Sequence, residues 1–157
     1  MIGTSFHLVS EKPAPLYMGG LPPRWDDIPA RVVVNLCGVM PYGEGLFGRV
    51  LVVMPLLDLP DPELLPTREQ LDAFLDGIHP HAAREPTYWH CHAGLNRSGL
   101  AVAAYLHRYR GLRISEAIDW LRAARDPYVL SNHVFERRLR EWYGGPDEQA
   151  FVPVLAG

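Results

Sequence analysis

Residues 86–111 read PTYWHCHAGLNRSGLAVAAYLHRYRG, and no other stretch of the 157-residue chain limits its fold as tightly. The first six residues are rich in strand-favouring Thr, Tyr and Trp. Those after Ser98 are helix formers up to Gly111. A strand that becomes a helix within so few residues sets the turn at the carboxyl edge of a sheet, where free helix amides face a ligand. Other segments follow the same alternation. Residues 30–38, ARVVVNLCG, predict a buried strand stopped by Gly38, and residues 49–56, RVLVVMPL, predict a second buried strand. The Pro- and Gly-dense opening predicts a strand or two bounded by turns, while residues 40–48 and 57–66 read as loops.

Four helices are predicted. Thr67 and Gln70 match a capping box, and Leu71, Phe74, Leu75 and Ile78 recur at helical spacing until Pro80. The second helix follows Ser98. The third covers residues 114–125, with Ala117, Ile118, Leu121 and Ala124 on one face. The last starts after Asn132, a good N-cap, and stops at Gly144–Gly145. Strands alternating with helices imply a single α/β domain with a central mixed, partly parallel sheet flanked by helices. Residues 1–145 are expected to form it, with 146–157 as a tail. No apolar run reaches bilayer length, the start lacks a secretory pattern, and two cysteines suit a reducing compartment, so a cytoplasmic protein is expected. The net charge of −3 gives no support for a nucleic-acid partner.

Between Cys91 and Arg97 lie five residues, two of them the small Ala93 and Gly94. Such a loop can curl around one tetrahedral anion, its amides inward and the planar fork of Arg97 closing the ring. The following helix adds the positive end of its dipole. Amides, dipole and guanidinium together favour a thiolate at Cys91, a nucleophile without an adjacent base. Ser98 is close enough in sequence to hydrogen-bond the sulfur and ease its later departure. A metal is not expected at His90, Cys91 and His92: alternation sends the histidines away from the cysteine, and no second Cys or His pair stands at ligand spacing.

HCHAGLNRSG resembles the H-C-x-x-G-x-x-R-[ST]-G loop of the cysteine-dependent protein tyrosine phosphatase superfamily. LYMGGLPP, VVVNLCG, VMPLLD, SEAIDWLRAARDP and SNHVFERRLREWY resemble, in order and spacing, segments of dual-specificity phosphatases, so the likeness spans Leu16 to Tyr143. The resemblance implies a phosphomonoester hydrolase without a cofactor, acting through a phosphocysteine on phosphotyrosine and phosphoserine or phosphothreonine proteins. It assigns Cys91, Arg97 and Ser98 to catalysis. His92, Ala93, Gly94, Leu95, Asn96 and Arg97 would bind the phosphoryl group, with His92 and Asn96 also shaping the rim. His90, Arg125 and Asn132 would be supports. The family's acid follows h-P-x-x-D at a strand end, which Met54-Pro55-Leu56-Leu57-Asp58 reproduces. Asp58 is therefore the expected general acid and base, and Asp61 the reserve. Cys37 is either core packing or a resolving cysteine for oxidised Cys91, as some family members carry.

Phosphorylated proteins or small phosphoesters are the expected partners, and the oligomeric state is left open. The spacing of Tyr42, Phe47, Arg49 and Asp58 resembles tensin-type lipid phosphatases, but His92 and Leu95 replace their lysines. GLNRSG resembles the RNA 5′-triphosphatase branch. The rivals from other classes are a phosphate-binding pseudophosphatase, for which three intact reactive groups are superfluous, and a sulfurtransferase or arsenate-reducing enzyme, which has no use for Asp58.

Overall fold

A computed structural model describes residues 6–22, 24–39 and 42–146. Five strands form one sheet: β1 (Phe6–Ser10), β2 (Leu16–Gly19), β3 (Val32–Asn35), β4 (Val50–Val53) and β5 (Thr87–His90), in the order β1-β2-β5-β3-β4. Only the β1–β2 pair is antiparallel. Parallel strands buried on both faces read as continuous apolar runs, which is why VVVN was legible as a strand. The register sets Met18 and Val34 beside Trp89, and Tyr17 and Val33 beside Tyr88.

That alternation sorts the side chains into two cores. Val34, Trp89 and Met18 pack with the apolar faces of helices α1 (Arg68–Ala82), α2 (Arg97–Tyr109), α3 (Ile114–Ala124) and α4 (His133–Tyr143). Val33 and Tyr88 face a smaller cluster with Trp25, Ile28 and Tyr42. The helices therefore crowd one face, and a 3-10 turn (Trp25–Asp27) with Tyr42 and Leu46 packs on the other. The result is an α/β domain with a mixed, mostly parallel sheet.

Two expectations need correcting. The predicted buried strand at residues 49–56 is β4, the half-buried outermost strand, because no strand among the described residues pairs with its far side. α1 does not stop at Pro80. Ile78 and Ala82 are both buried while Pro80 is exposed, so core contacts carry the helix one more half-turn, and Ala83 N–H closes it on His79 O at 2.9 Å. The cap positions of α1 and α4 agree with the sequence: Thr67 and Gln70 form the capping box, and the Asn132 side chain accepts from Val134 N–H. The expected tail lies outside the described residues from 147 onward. No helix among the described residues is long and apolar enough to cross a membrane.

Candidate active site

β2, β5, β3 and β4 deliver their carboxyl ends to one edge of the sheet, and the loop from Cys91 to Asn96 leaves β5 there. Every carbonyl from Cys91 to Leu95 is held from outside this loop. Cys91 O meets His90 Nδ1 (3.1 Å), His92 O accepts Leu21 N–H (3.1 Å), and Leu95 O accepts Leu130 N–H (3.1 Å). Ala93 O and Gly94 O accept from Nη2 and Nε of Arg125, at 3.1 and 3.2 Å. A trans peptide opposes its C=O and the next N–H, so pinning the carbonyls outward turns the following amides to the inner side. One of them, Gly94 N–H, donates to Cys91 Sγ at 3.2 Å.

Gly94 has no substitute at this point. Its φ is +73°, and a Cβ there would stand 2.3 Å from the carbonyl carbon of Gly19. The loop lies directly on the end of β2 because Gly94 lacks a side chain.

Cys91 is 2% exposed at the base of the loop, with Ser98 Oγ 3.3 Å from its sulfur. Gly94 N–H donates to Sγ and the Ser98 hydroxyl can, an arrangement able to solvate a thiolate. Arg97 opens α2. Its Nη1 makes a long 3.4 Å contact with Leu56 O, and its Nε is buried with no hydrogen-bond partner. A buried guanidinium N–H without an acceptor suits an anionic ligand. Asn96 holds the N-cap position of α2, yet its side chain makes no cap bond, leaving the first amides of the helix uncapped.

Asp58 lies on exposed chain after β4. Its Oδ2 accepts Asn96 Nδ2 at 3.1 Å and its Oδ1 accepts Asn132 Nδ2 at 2.9 Å. The carboxylate is thereby tied to both the anion loop and the start of α4. Asp61 is occupied differently: its Oδ1 accepts Glu63 N–H at 3.0 Å and caps a 3-10 turn (Pro62–Leu64).

His90 is buried behind the cysteine, and burial pushes its pKa down to about 4. It is neutral in the neutral pH range and acts as a hydrogen-bonded prop. His92 is exposed on the rim. Cys37 is half-buried two residues beyond β3, its Sγ 3.3 Å from Asn35 Oδ1; both cysteines are free thiols. Of the residues matching the tensin-type spacing, Tyr42 turns inward to His90 Nε2 (2.7 Å). Arg49 donates to Trp25 O (2.8 Å), and Phe47 is 94% exposed. These three do not assemble into a second basic site.

Sequence reasoning missed Leu21, Tyr42 and Leu130 as props of the loop and the Asn96–Asp58 bond. Leu130 carries a left-handed φ of 60°, for which the sequence gives no signal.

The catalytic domain of dual specificity phosphatases matches residues 50–144. Mouse dual specificity protein phosphatase 14 is 35% identical over 92 residues, 58% of this chain and 44% of that protein. Mouse dual specificity protein phosphatase 12 is 30% identical over 141 residues, 85% of this chain and 40% of that protein. The chain thus spans less than half the length of these relatives. In fold, the crystal structure of human DUSP28 superposes with a TM-score of 0.70 at 23% identity, covering 88% of this chain and 92% of that one.

Proposed function

The chain belongs to the dual specificity phosphatase family, and on that premise we propose that it is a phosphomonoester hydrolase working through Cys91. The observation that carries the reading is the sulfur of Cys91 held by Gly94 N–H and Ser98 Oγ, beneath amides turned inward and beside the unpaired Nε of Arg97. Cys91 Sγ attacks phosphorus, forming the S–P bond as the P–O bond to the leaving group breaks. Asp58 gives its proton to the leaving oxygen. Water then attacks phosphorus, its proton returns to Asp58, and the S–P bond breaks with Ser98 donating to the departing thiolate. The loop from His92 to Asn96 and Arg97 hold the phosphoryl oxygens throughout. His90 and Asn132 support the loop and the acid.

Charge around the site favours a phosphoprotein over a phosphoinositide surface or an RNA 5′ end. The loops after β2, β3 and β4 expose Asp26, Asp27, Glu44, Asp58, Asp61 and Glu63. Among the described residues there, the exposed cations are Arg24, 4.0 Å from Asp26, and Arg31, which is paired with Glu85 at 2.7 Å. Such a rim repels polyanions and suits a phosphorylated residue flanked by basic side chains. Exposed Val39, Leu57, Leu59 and Leu64 on the same loops add apolar contacts of the kind a peptide satisfies.

Release of phosphate from p-nitrophenyl phosphate by the wild type, lost in Cys91→Ser, tests the reaction and separates it from a pseudophosphatase. A panel of phosphopeptides, phosphoinositide vesicles and 5′-triphosphorylated RNA tests the substrate class. Faster turnover of either polyanion than of every phosphopeptide would reverse that part of the reading.

A further inference from the structure

Asp58 belongs to an exposed segment, yet each of its carboxylate oxygens is taken by a primary amide from a different element. Neither amide is free to flip. Asn96 Oδ1 receives the backbone N–H of Asn132 at 2.9 Å and the hydroxyl of Ser131 at 3.4 Å. A backbone N–H can only donate, so Oδ1 faces it and Nδ2 turns toward Asp58. Asn132 Oδ1 receives Val134 N–H at 3.1 Å, which turns its Nδ2 toward Asp58 and the carbonyl of Leu59 (3.1 Å). Asn96 also stands where an asparagine side chain ordinarily caps the helix behind it, and it makes no such bond. Both of its polar atoms serve the acid and the Ser131–Asn132 corner instead.

We propose that Asn96 is a positioning residue that fixes the acid relative to the nucleophile. It sits in the loop that begins at Cys91, and its amide tethers the carboxylate that must meet the leaving oxygen above that loop. Without it, Asp58 keeps only the Asn132 bond, which references the acid to α4 and not to the phosphoryl site. The inference rests on the hydrolase reading above and adds to it the residue that registers one half of the machinery against the other.

The test compares two leaving groups. p-Nitrophenolate departs with little help from an acid, whereas the phenolate of phenyl phosphate needs protonation. Asn96→Ala removes the amide; Asn96→Ser is a second variant, which keeps a hydroxyl near the Asn132 N–H but is too short to reach Asp58. Whatever either variant loses in kcat on p-nitrophenyl phosphate, it loses about 10-fold more on phenyl phosphate, part of the 100-fold or greater effect of acid catalysis as a whole. In an Asp58→Asn background that extra loss disappears, because the group being positioned is gone. Equal losses on the two substrates, or the same extra loss without the Asp58 carboxyl, would overturn the assignment. If wild type and Cys91→Ser hydrolyse p-nitrophenyl phosphate equally, the hydrolase reading itself fails, which is a separate result.

Discussion

The hydroxyl of Tyr42 lies 2.7 Å from Nε2 of His90, and the contact on the other side of the ring settles which nitrogen of His90 carries its proton. Nδ1 faces the carbonyl of Cys91, which can only accept, so Nδ1 holds the hydrogen and Nε2 accepts from Tyr42. The ring is neutral because burial lowers its pKa to about 4, below the ordinary 6.5. Between those values the unfolded chain binds a proton that the native chain refuses. The stability held above pH 6.5 is therefore lost as pH falls toward 4, by on the order of 3 kcal/mol for this group. Urea unfolding at several pH values should show a shallower decline over that window in His90→Gln than in the wild type. An identical pH slope in both would mean that His90 is not the group responsible.

Gly94 and Gly111 both have φ near +75°, but they differ in what surrounds them. A Cβ on Gly111 meets nothing within 4 Å, whereas one on Gly94 runs into the Gly19 backbone. Gly111→Ala should cost about 1 kcal/mol of left-handed strain and keep phosphatase activity. Gly94→Ala adds a backbone clash to that strain, costs about 3 kcal/mol or more, and abolishes competitive inhibition by inorganic phosphate. Thermal denaturation with phosphate titration distinguishes them, and equal behaviour of the two variants would contradict the account.

The hydroxyl of Ser98 lies 3.3 Å from the sulfur of Cys91. A hydrogen bond to an anion is worth about 1.5–3 kcal/mol, so Ser98→Ala should slow release of the thiolate by about 10- to 100-fold. Formation of the phosphoenzyme suffers less, and stopped-flow release of p-nitrophenol should then show a burst. A uniformly slow trace with no burst would place Ser98 before the first step.

Arg125 is 5% exposed and holds Ala93 O, Gly94 O and His7 Nδ1. Arg125→Lys keeps the charge but loses the fork that spans two carbonyls, so it should destabilise the protein by about 2 kcal/mol and weaken phosphate inhibition by about 10-fold. Denaturant unfolding and inhibition constants measure the two effects, and a variant that loses neither would show the carbonyls to be held by other means.

Cys37 stands two residues after Asn35, and Cys91 one residue after His90, the register partner of Asn35 on the adjoining strand. Sub-stoichiometric peroxide should link the two sulfurs in a disulfide that dithiothreitol reverses, with activity returning. Peptide mapping that finds Cys91 as a sulfonic acid beside an intact Cys37 thiol would assign Cys37 to packing.

What could be read from the sequence was local. The Thr67–Gln70 box closes over three residues, with bonds of 2.9 and 3.1 Å, and the Asn132 cap over two. The strand, loop and helix around Cys91 likewise announce themselves within one stretch. The props of the loop are remote: His7 reaches Arg125 across 118 positions, Leu21 meets His92, and Leu130 meets Leu95. No local pattern encodes such pairs. Pro80 failed as a stop signal because Ile78 and Ala82 are both drawn into the core. The side-chain type of Asn96 suggested a cap, and only the approach of Asp58 and Asn132 redirects it.

The clasp on Asp58 is built from two carboxamides, groups that bear no formal charge at any accessible acidity. Added salt therefore has no ion pair to screen there, as it would in a lysine- or arginine-based latch. Of the three side chains that meet at that point, only the carboxyl can gain or lose a charge, while its holders stay as they are.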